Sequence, residues 1–179
     1  MMIKNLFIHM ADESTNFLAE IYRGVPGKVI RDDTSVEEMN QLIAEHDRVV
    51  MMGHGSPSGL FGIKTGSVIG VRNVEALKNK DNIYIWCHAS AFVRNYNLKG
   101  FSTGMFISEV GEAIYCGIKE SSILQEKVTK SNDTFASLVR EYIEQPTAEI
   151  YDHVGSYYNS RYHDHPVVAY NSSRLVLFT

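Results

Sequence analysis

Cysteine is scarce in this chain of 179 residues: only Cys87 and Cys116 occur. Two thiols cannot build the disulfide framework of a small secreted module, and they point to a reducing cytoplasm. Long apolar runs are missing as well. None approaches the roughly 18 residues that a membrane-spanning helix needs. The N-terminal run around Leu6-Phe7-Ile8 is too short for a signal peptide, and no cleavage site follows it. No basic stretch stands out and the formal net charge is −4, so neither a nucleic-acid nor a membrane partner is expected. Internal repeats, low-complexity tracts and linkers are absent. With 44% hydrophobic and 21% charged residues, the composition is that of an ordinary globular protein. The length suits one domain over residues 1–179.

The pattern of apolar residues is that of strands alternating with helices. Leu6 to Met10 reads as a buried strand. Phe17, Leu18 and Ile21 recur at helical spacing, with Gly24 as the stop. Lys28-Val29-Ile30 is a short strand. Ser35-Val36-Glu37-Glu38 is a capping box before an apolar face of Val36, Met39, Leu42 and Ile43. A β-hairpin is expected from Leu60-Phe61-Gly62-Ile63 and Ser67 to Val71 around Lys64-Thr65-Gly66. Asn73 is expected to cap a short helix through Val74 and Leu77. Further helices are read over 91–97, 109–118 and 135–142. The polar segment 119–133 is read as partly exposed and, with Lys119, Lys127 and Lys130, as a place where self-cleavage could occur. Strands are read at 101–108, Val167 to Tyr170 and Leu175 to Phe178. This order predicts an α/β fold, a three-layer α/β/α sandwich around a mostly parallel sheet of about six strands. No glycine-rich loop follows the first strand, which argues against a nucleotide-binding module.

Two segments carry the chemistry. Arg48-Val49-Val50-Met51-Met52-Gly53-His54-Gly55 is an apolar strand ending on His-Gly, and Asn82-Ile83-Tyr84-Ile85-Trp86-Cys87 is one ending on Cys. Cys87 follows His54 by 33 residues, enough for the helical crossover that two parallel strands require. If the strands are neighbours, imidazole and thiol meet at the carboxyl edge of the sheet, where α/β proteins place their sites. A free thiol has a pKa near 8.5 and is mostly protonated at neutral pH. A nearby imidazole can take its proton and later give one to a leaving amine.

The two blocks, the hairpin expected between them and the element order before them resemble the caspase-like cysteine peptidases of clan CD: caspases, metacaspases, gingipains, legumains, clostripain and separase. The resemblance covers about residues 1 to 145. It implies a cysteine endopeptidase acting on a peptide or protein substrate, with Cys87 as nucleophile, His54 as general acid/base and no metal or organic cofactor. It implies an oxyanion hole made by the backbone N–H groups of Gly55 and Cys87. Some relatives that cleave after basic residues use an acidic residue at the base of the pocket. Asp12 and Glu13 follow the first strand and are candidates for that pocket, although Asp12 fits equally well as a helix cap. The chain departs from the family at Trp86, where many members carry Ala. The caspase signature Gln-Ala-Cys-x-Gly is absent, and the interval is shorter than the roughly 50 residues of caspases. Trp86 is bulky enough to shape the substrate cleft. It motivates a rival reading, an inactive caspase-like domain that works through protein contacts. A third reading is a different α/β cysteine hydrolase with Cys87 on a strand-to-helix elbow.

Other polar residues have plainer readings. His88 adjoins Cys87, but successive side chains on a strand point to opposite faces, so His54 is the preferred base. Cys116 is expected in the core. His153, His163 and His165, with Asp152 and Asp164, could bind a metal, and a polar loop is the preferred reading. Tyr151, Tyr157, Tyr158, Tyr162 and Tyr170 could wall a cleft or a homodimer surface, with half-buried packing preferred.

Overall fold

The run Asn5–Met10 is buried at every position and forms strand β1. The computed structural model that shows this describes residues 3–10, 12–64, 66–161 and 165–179. The chain then turns through a 3₁₀ helix, Asn16–Tyr22, closed by Gly24 at a left-handed φ of 73°. Strand β2 (Gly27–Ile30) follows, and then helix α1 (Val36–Ala44), whose Ser35 side chain accepts from the Glu38 N–H as the capping box requires. Strand β3 (Arg48–Gly53) is again fully buried. After it come a two-plus-two hairpin, β4 (Gly55–Ser56) and β5 (Gly59–Leu60), and a short helix α2 (Val74–Leu77). Strand β6 (Asn82–Ile85), helix α3 (Ala89–Asn95) and strand β7 (Gly100–Thr103) complete the parallel part. Helices α4 (Val110–Tyr115), α5 (Leu124–Glu141), α6 (Thr147–Arg161) and α7 (Pro166–Ser172) precede the last strand, β8 (Leu175–Phe178).

The main sheet has six strands in the order β2-β1-β3-β6-β7-β8. All neighbours are parallel except β7 and β8. The period of two along each strand fills two cores. Phe7, Val50, Met52, Ile83 and Ile85 face the 3₁₀ helix, α5 and α6. Leu6, Ile8, Val49, Met51, Tyr84 and Trp86 face α1, α2 and α3. Strands buried on both faces are the mark of a three-layer α/β/α sandwich. The fold class read from the sequence is therefore observed.

Several elements differ from the expectation. The hairpin lies earlier, at 55–60, because Pro57 and Ser58 make the turn; Leu60 then bridges Ile69. Residues 124–133 are helical, the first half of α5, with Leu124, Val128, Ser131 and Asn132 turned inward and the other side chains polar. Val167 to Tyr170 belong to helix α7 rather than a strand. Pro166 stands at the head of that helix, where its fixed φ favours a start. Asn73 serves as N-cap by position, but its side chain accepts from Gly70 N–H and donates to Asn40. No helix among the described residues is long and apolar enough to cross a membrane.

Candidate active site

Strand order sets the site. β1, β3 and β6 lie side by side and run the same way, so the residues just past their carboxyl ends come together: Asp12, His54 and Cys87. β1 and β3 also flank the point where the chain changes direction across the sheet, the usual place for a site in an open α/β fold.

Asp12, His54 and Ser14 form one hydrogen-bonded group. His54 Nε2 lies 2.8 Å from Asp12 Oδ2 and 2.9 Å from Ser14 Oγ. Ser14 gives its only hydroxyl proton to Asp12 Oδ1, 2.9 Å away. Its oxygen can therefore only accept from His54. The imidazole proton thus sits on Nε2, and Nδ1 is left as an acceptor. The N–H groups of Ser14 and Thr15 also donate to Asp12 Oδ1. Burial pushes the Asp12 carboxyl up, but hydrogen bonds from Ser14 and Thr15, together with His54, outweigh it and hold the group below its usual value. Asp12, which the sequence offers either as a pocket carboxylate or as a cap, accepts from the turn N–H groups as a cap does and also pairs with His54. It anchors the turn and orients His54, while Thr15 stands at the N-cap of the 3₁₀ helix. This pairing is the relationship within the site that the sequence reading missed.

His9 braces the turn from below. Its Nε2 donates to Thr15 O (3.1 Å) and its Nδ1 accepts from Tyr22 OH (3.0 Å), which in turn accepts from Arg31 (2.9 Å). Desolvation of this fully buried ring is the largest influence on it and lowers its pKa to about 4.

Cys87 and His54 line the same small cavity with Thr15, Phe17, Leu18 and Phe106, a space of about 20 Å³. That is room for little more than one water. The Cys87 thiol donates to Phe106 O at 3.7 Å. Burial pushes the thiol above its ordinary value, and the Phe106 contact opposes this only in part. At rest the sulfur is thus a protonated thiol.

Trp86 lines the small cavity at Cys87 but not the larger groove beside it. Its indole is buried in the opposite core, edge-on to Tyr84 and Phe92, although the residue contributes to the cavity floor. Its Nε1 donates to Ser56 O at 3.0 Å. A Cβ added to Gly55 would lie 2.2 Å from Trp86 Cδ1, so only glycine fits beside the ring. The residue before Cys87 therefore grips the residues after His54. From the other side, Thr103 Oγ1 donates to Trp86 O (2.9 Å) and His88 N–H to Gly104 O (3.1 Å).

Gly55 offers its amide. Phe61 N–H donates to His54 O at 2.8 Å, which makes Gly55 and Leu60 a non-hydrogen-bonded pair of the hairpin. The Gly55 N–H consequently points away from β5. His88 adopts a left-handed φ of 66°, and its side chain lines a separate hollow with Arg94, Tyr115, Cys116 and Arg174. Cys116 is half-buried at the end of α4 and unpaired, as is Cys87.

Glu13 lines a larger groove next to the cavity. His153 is stacked between Tyr142 and Tyr157 on α6 and is not in a loop. Tyr162, His163 and Asp164 lie outside the described residues. Among the described residues no group of three or more His, Cys, Asp or Glu side chains could hold a metal ion. No protein-family model and no curated protein matches the chain.

Proposed function

We propose that this protein is a cysteine endopeptidase of caspase-like type that hydrolyses peptide bonds through Cys87 and His54. The observation that carries the reading is the shared cavity of the two side chains at the ends of adjacent parallel strands, with His54 oriented by Asp12. In this reading the substrate carbonyl displaces the thiol from Phe106. The thiol proton passes to His54 Nδ1 and the sulfur attacks the carbonyl carbon. The oxyanion is held by the N–H groups of Gly55 and Cys87, a contribution that typically amounts to 10²–10³ in rate per donor. The C–N bond breaks, and the amine leaves with the proton from His54. Water, deprotonated by the same ring, then hydrolyses the thioester and restores the thiol. Asp12 is a positioning residue: it fixes the tautomer and stabilises the imidazolium that forms. The unpaired thiols suit a reducing compartment, and the cytoplasm is the location we assign.

The resting contact of Cys87 with Phe106 and the small size of the cavity favour a second reading, a caspase-like domain that binds proteins without cleaving them. Hydrolysis of a mixed peptide library, read by mass spectrometry, separates the two. The peptidase reading expects cleavage that disappears in Cys87→Ala and falls steeply in His54→Ala. Cleavage unchanged in both variants, or absent from the native protein, contradicts it.

A further inference from the structure

The Cys87 thiol is turned toward one short segment of main chain. Phe106 O accepts from it at 3.7 Å, and Phe106 and Ser108 wall the cavity that Cys87 shares with His54. A peptide cannot enter that cavity while these residues stay where they are, since it holds little more than one water.

The segment lies just past β7. The sheet ladder ends where Thr103 pairs with Leu175, and Gly104 N–H still donates to Arg174 O at 2.7 Å. Across residues 105–108 no main-chain group pairs with another main-chain group among the described residues. Side chains from three helices hold the segment instead. Asn171 of α7 is fully buried and clasps Ile107 twice: the Ile107 N–H donates to Oδ1 at 2.7 Å, and Nδ2 donates to Ile107 O at 2.9 Å. Glu112 Oε2 of α4 accepts from the Ser108 N–H (2.7 Å), the Ser108 hydroxyl (3.0 Å) and the Glu109 N–H (3.2 Å). Asn132 Nδ2 of α5 donates to Ser108 O at 2.9 Å. The Phe106 ring packs on Phe135 with centroids 4.6 Å apart. Buried main-chain groups need partners, and here side chains supply them. A segment held in this way can come off without breaking a strand ladder, and such segments open at lower cost than the sheet does.

We propose that residues 105–109 form a strap that restrains Cys87 in the resting protein, with Asn171 and Glu112 as its clasps, and that a peptide reaches the sulfur when the strap lifts. This regulation of the site deepens the peptidase reading and rests on it. Asn171 belongs to α7, so the seating of that helix sets how readily the strap lifts.

Chloroacetamide, an electrophile too small to need a pocket, reads the strap in a Cys116→Ser background, where Cys87 is the sole thiol. Glu112→Ala removes one clasp and Asn171→Leu the other; Glu112→Ala serves alone if Asn171→Leu does not fold. Alkylation of Cys87 should be faster in each variant by about tenfold or more, the scale set by losing hydrogen bonds to a charged or buried group. Hydrolysis of a cleaved peptide should rise in kcat/KM in the same variants. Amide hydrogen exchange separates a lifted strap from a loosened fold: Ile107 and Ser108 should exchange faster in the variants, while Phe7 and Phe101 in the sheet stay protected. Unchanged alkylation or slower hydrolysis in either folded variant overturns the inference. So does exchange that quickens at Phe7 and Phe101 as much as at Ile107. Faster alkylation with no hydrolysis by parent or variants contradicts the peptidase reading alone and leaves the strap over the thiol standing.

Discussion

His54 Nε2 sits 2.8 Å from Asp12 Oδ2, joining the ends of two adjacent strands, β1 and β3. The carboxylate is in place to hold the ring with Nδ1 unprotonated. Asp12→Asn keeps the size of the side chain but can present an N–H to Nε2 and so favour the wrong tautomer. The expected result is a lower kcat with little change in KM. The loss should fall within the roughly 10²–10⁴-fold that positioned acid–base catalysis contributes. Steady-state kinetics on any cleaved peptide checks this. The Asp12 carboxyl is held below its ordinary value. Its contribution to folding is therefore present above the unfolded value of about 3.9 and is lost as the pH falls through the lower folded value.

Gly55 has no space for a methyl group: a Cβ would meet Trp86 Cδ1 at 2.2 Å and Gly59 O at 2.6 Å. Gly55→Ala should push the hairpin away from the ring and separate His54 from Cys87. Overpacking of this kind typically costs about 1–3 kcal/mol. A lowered midpoint in urea, together with loss of peptide hydrolysis, is the expected outcome. Gly55→Ala in a Trp86→Phe background, which has a smaller ring, should recover part of the stability.

His9 gives the fold an acid-sensitive brace. Its folded pKa is lowered to about 4, so the folded protein keeps the ring neutral where the unfolded chain already binds a proton. Stability is therefore full above pH about 6.5, and it declines as the pH falls from there towards 4. The shift corresponds to about 3 kcal/mol once complete. His9→Gln, which can still donate to Thr15 O, should flatten the dependence of stability on pH between 6.5 and 4. Urea unfolding at a series of pH values measures it. An unchanged slope would assign the acid sensitivity to another group.

The strands were the legible part of this chain. Val49 to Met52 and Ile83 to Ile85 are apolar at successive positions because both faces of the sheet are covered, and that signal does not depend on distant residues. Ser35 likewise caps α1 through a local hydrogen bond. Elements settled by distant packing were misread. Val167 and Val168 are β-branched and suggest a strand, yet Pro166 starts a helix there and tertiary packing overrides propensity. The first half of α5 looked exposed because its buried face includes Ser131, whose hydroxyl bonds to Tyr158 OH, and Asn132, whose Nδ2 donates to Ser108 O. The meeting of His54 and Cys87 in one cavity could be read because each residue ends an apolar run. Asp12 could not, since a turn-capping aspartate and a histidine-orienting one look alike in sequence. Here one side chain serves as both.

The two cysteines provide the most direct test of the account. Both are unpaired and half-buried, but only Cys87 shares a cavity with His54. The protein is incubated at neutral pH with a peptidyl acyloxymethyl ketone, and the modified residue is located by peptide mass mapping. The account expects a single adduct on Cys87, formed much faster than any on Cys116 and nearly abolished by His54→Ala. Equal labelling of Cys87 and Cys116, or labelling of Cys87 that is indifferent to His54→Ala, would contradict the proposed nucleophile and its base.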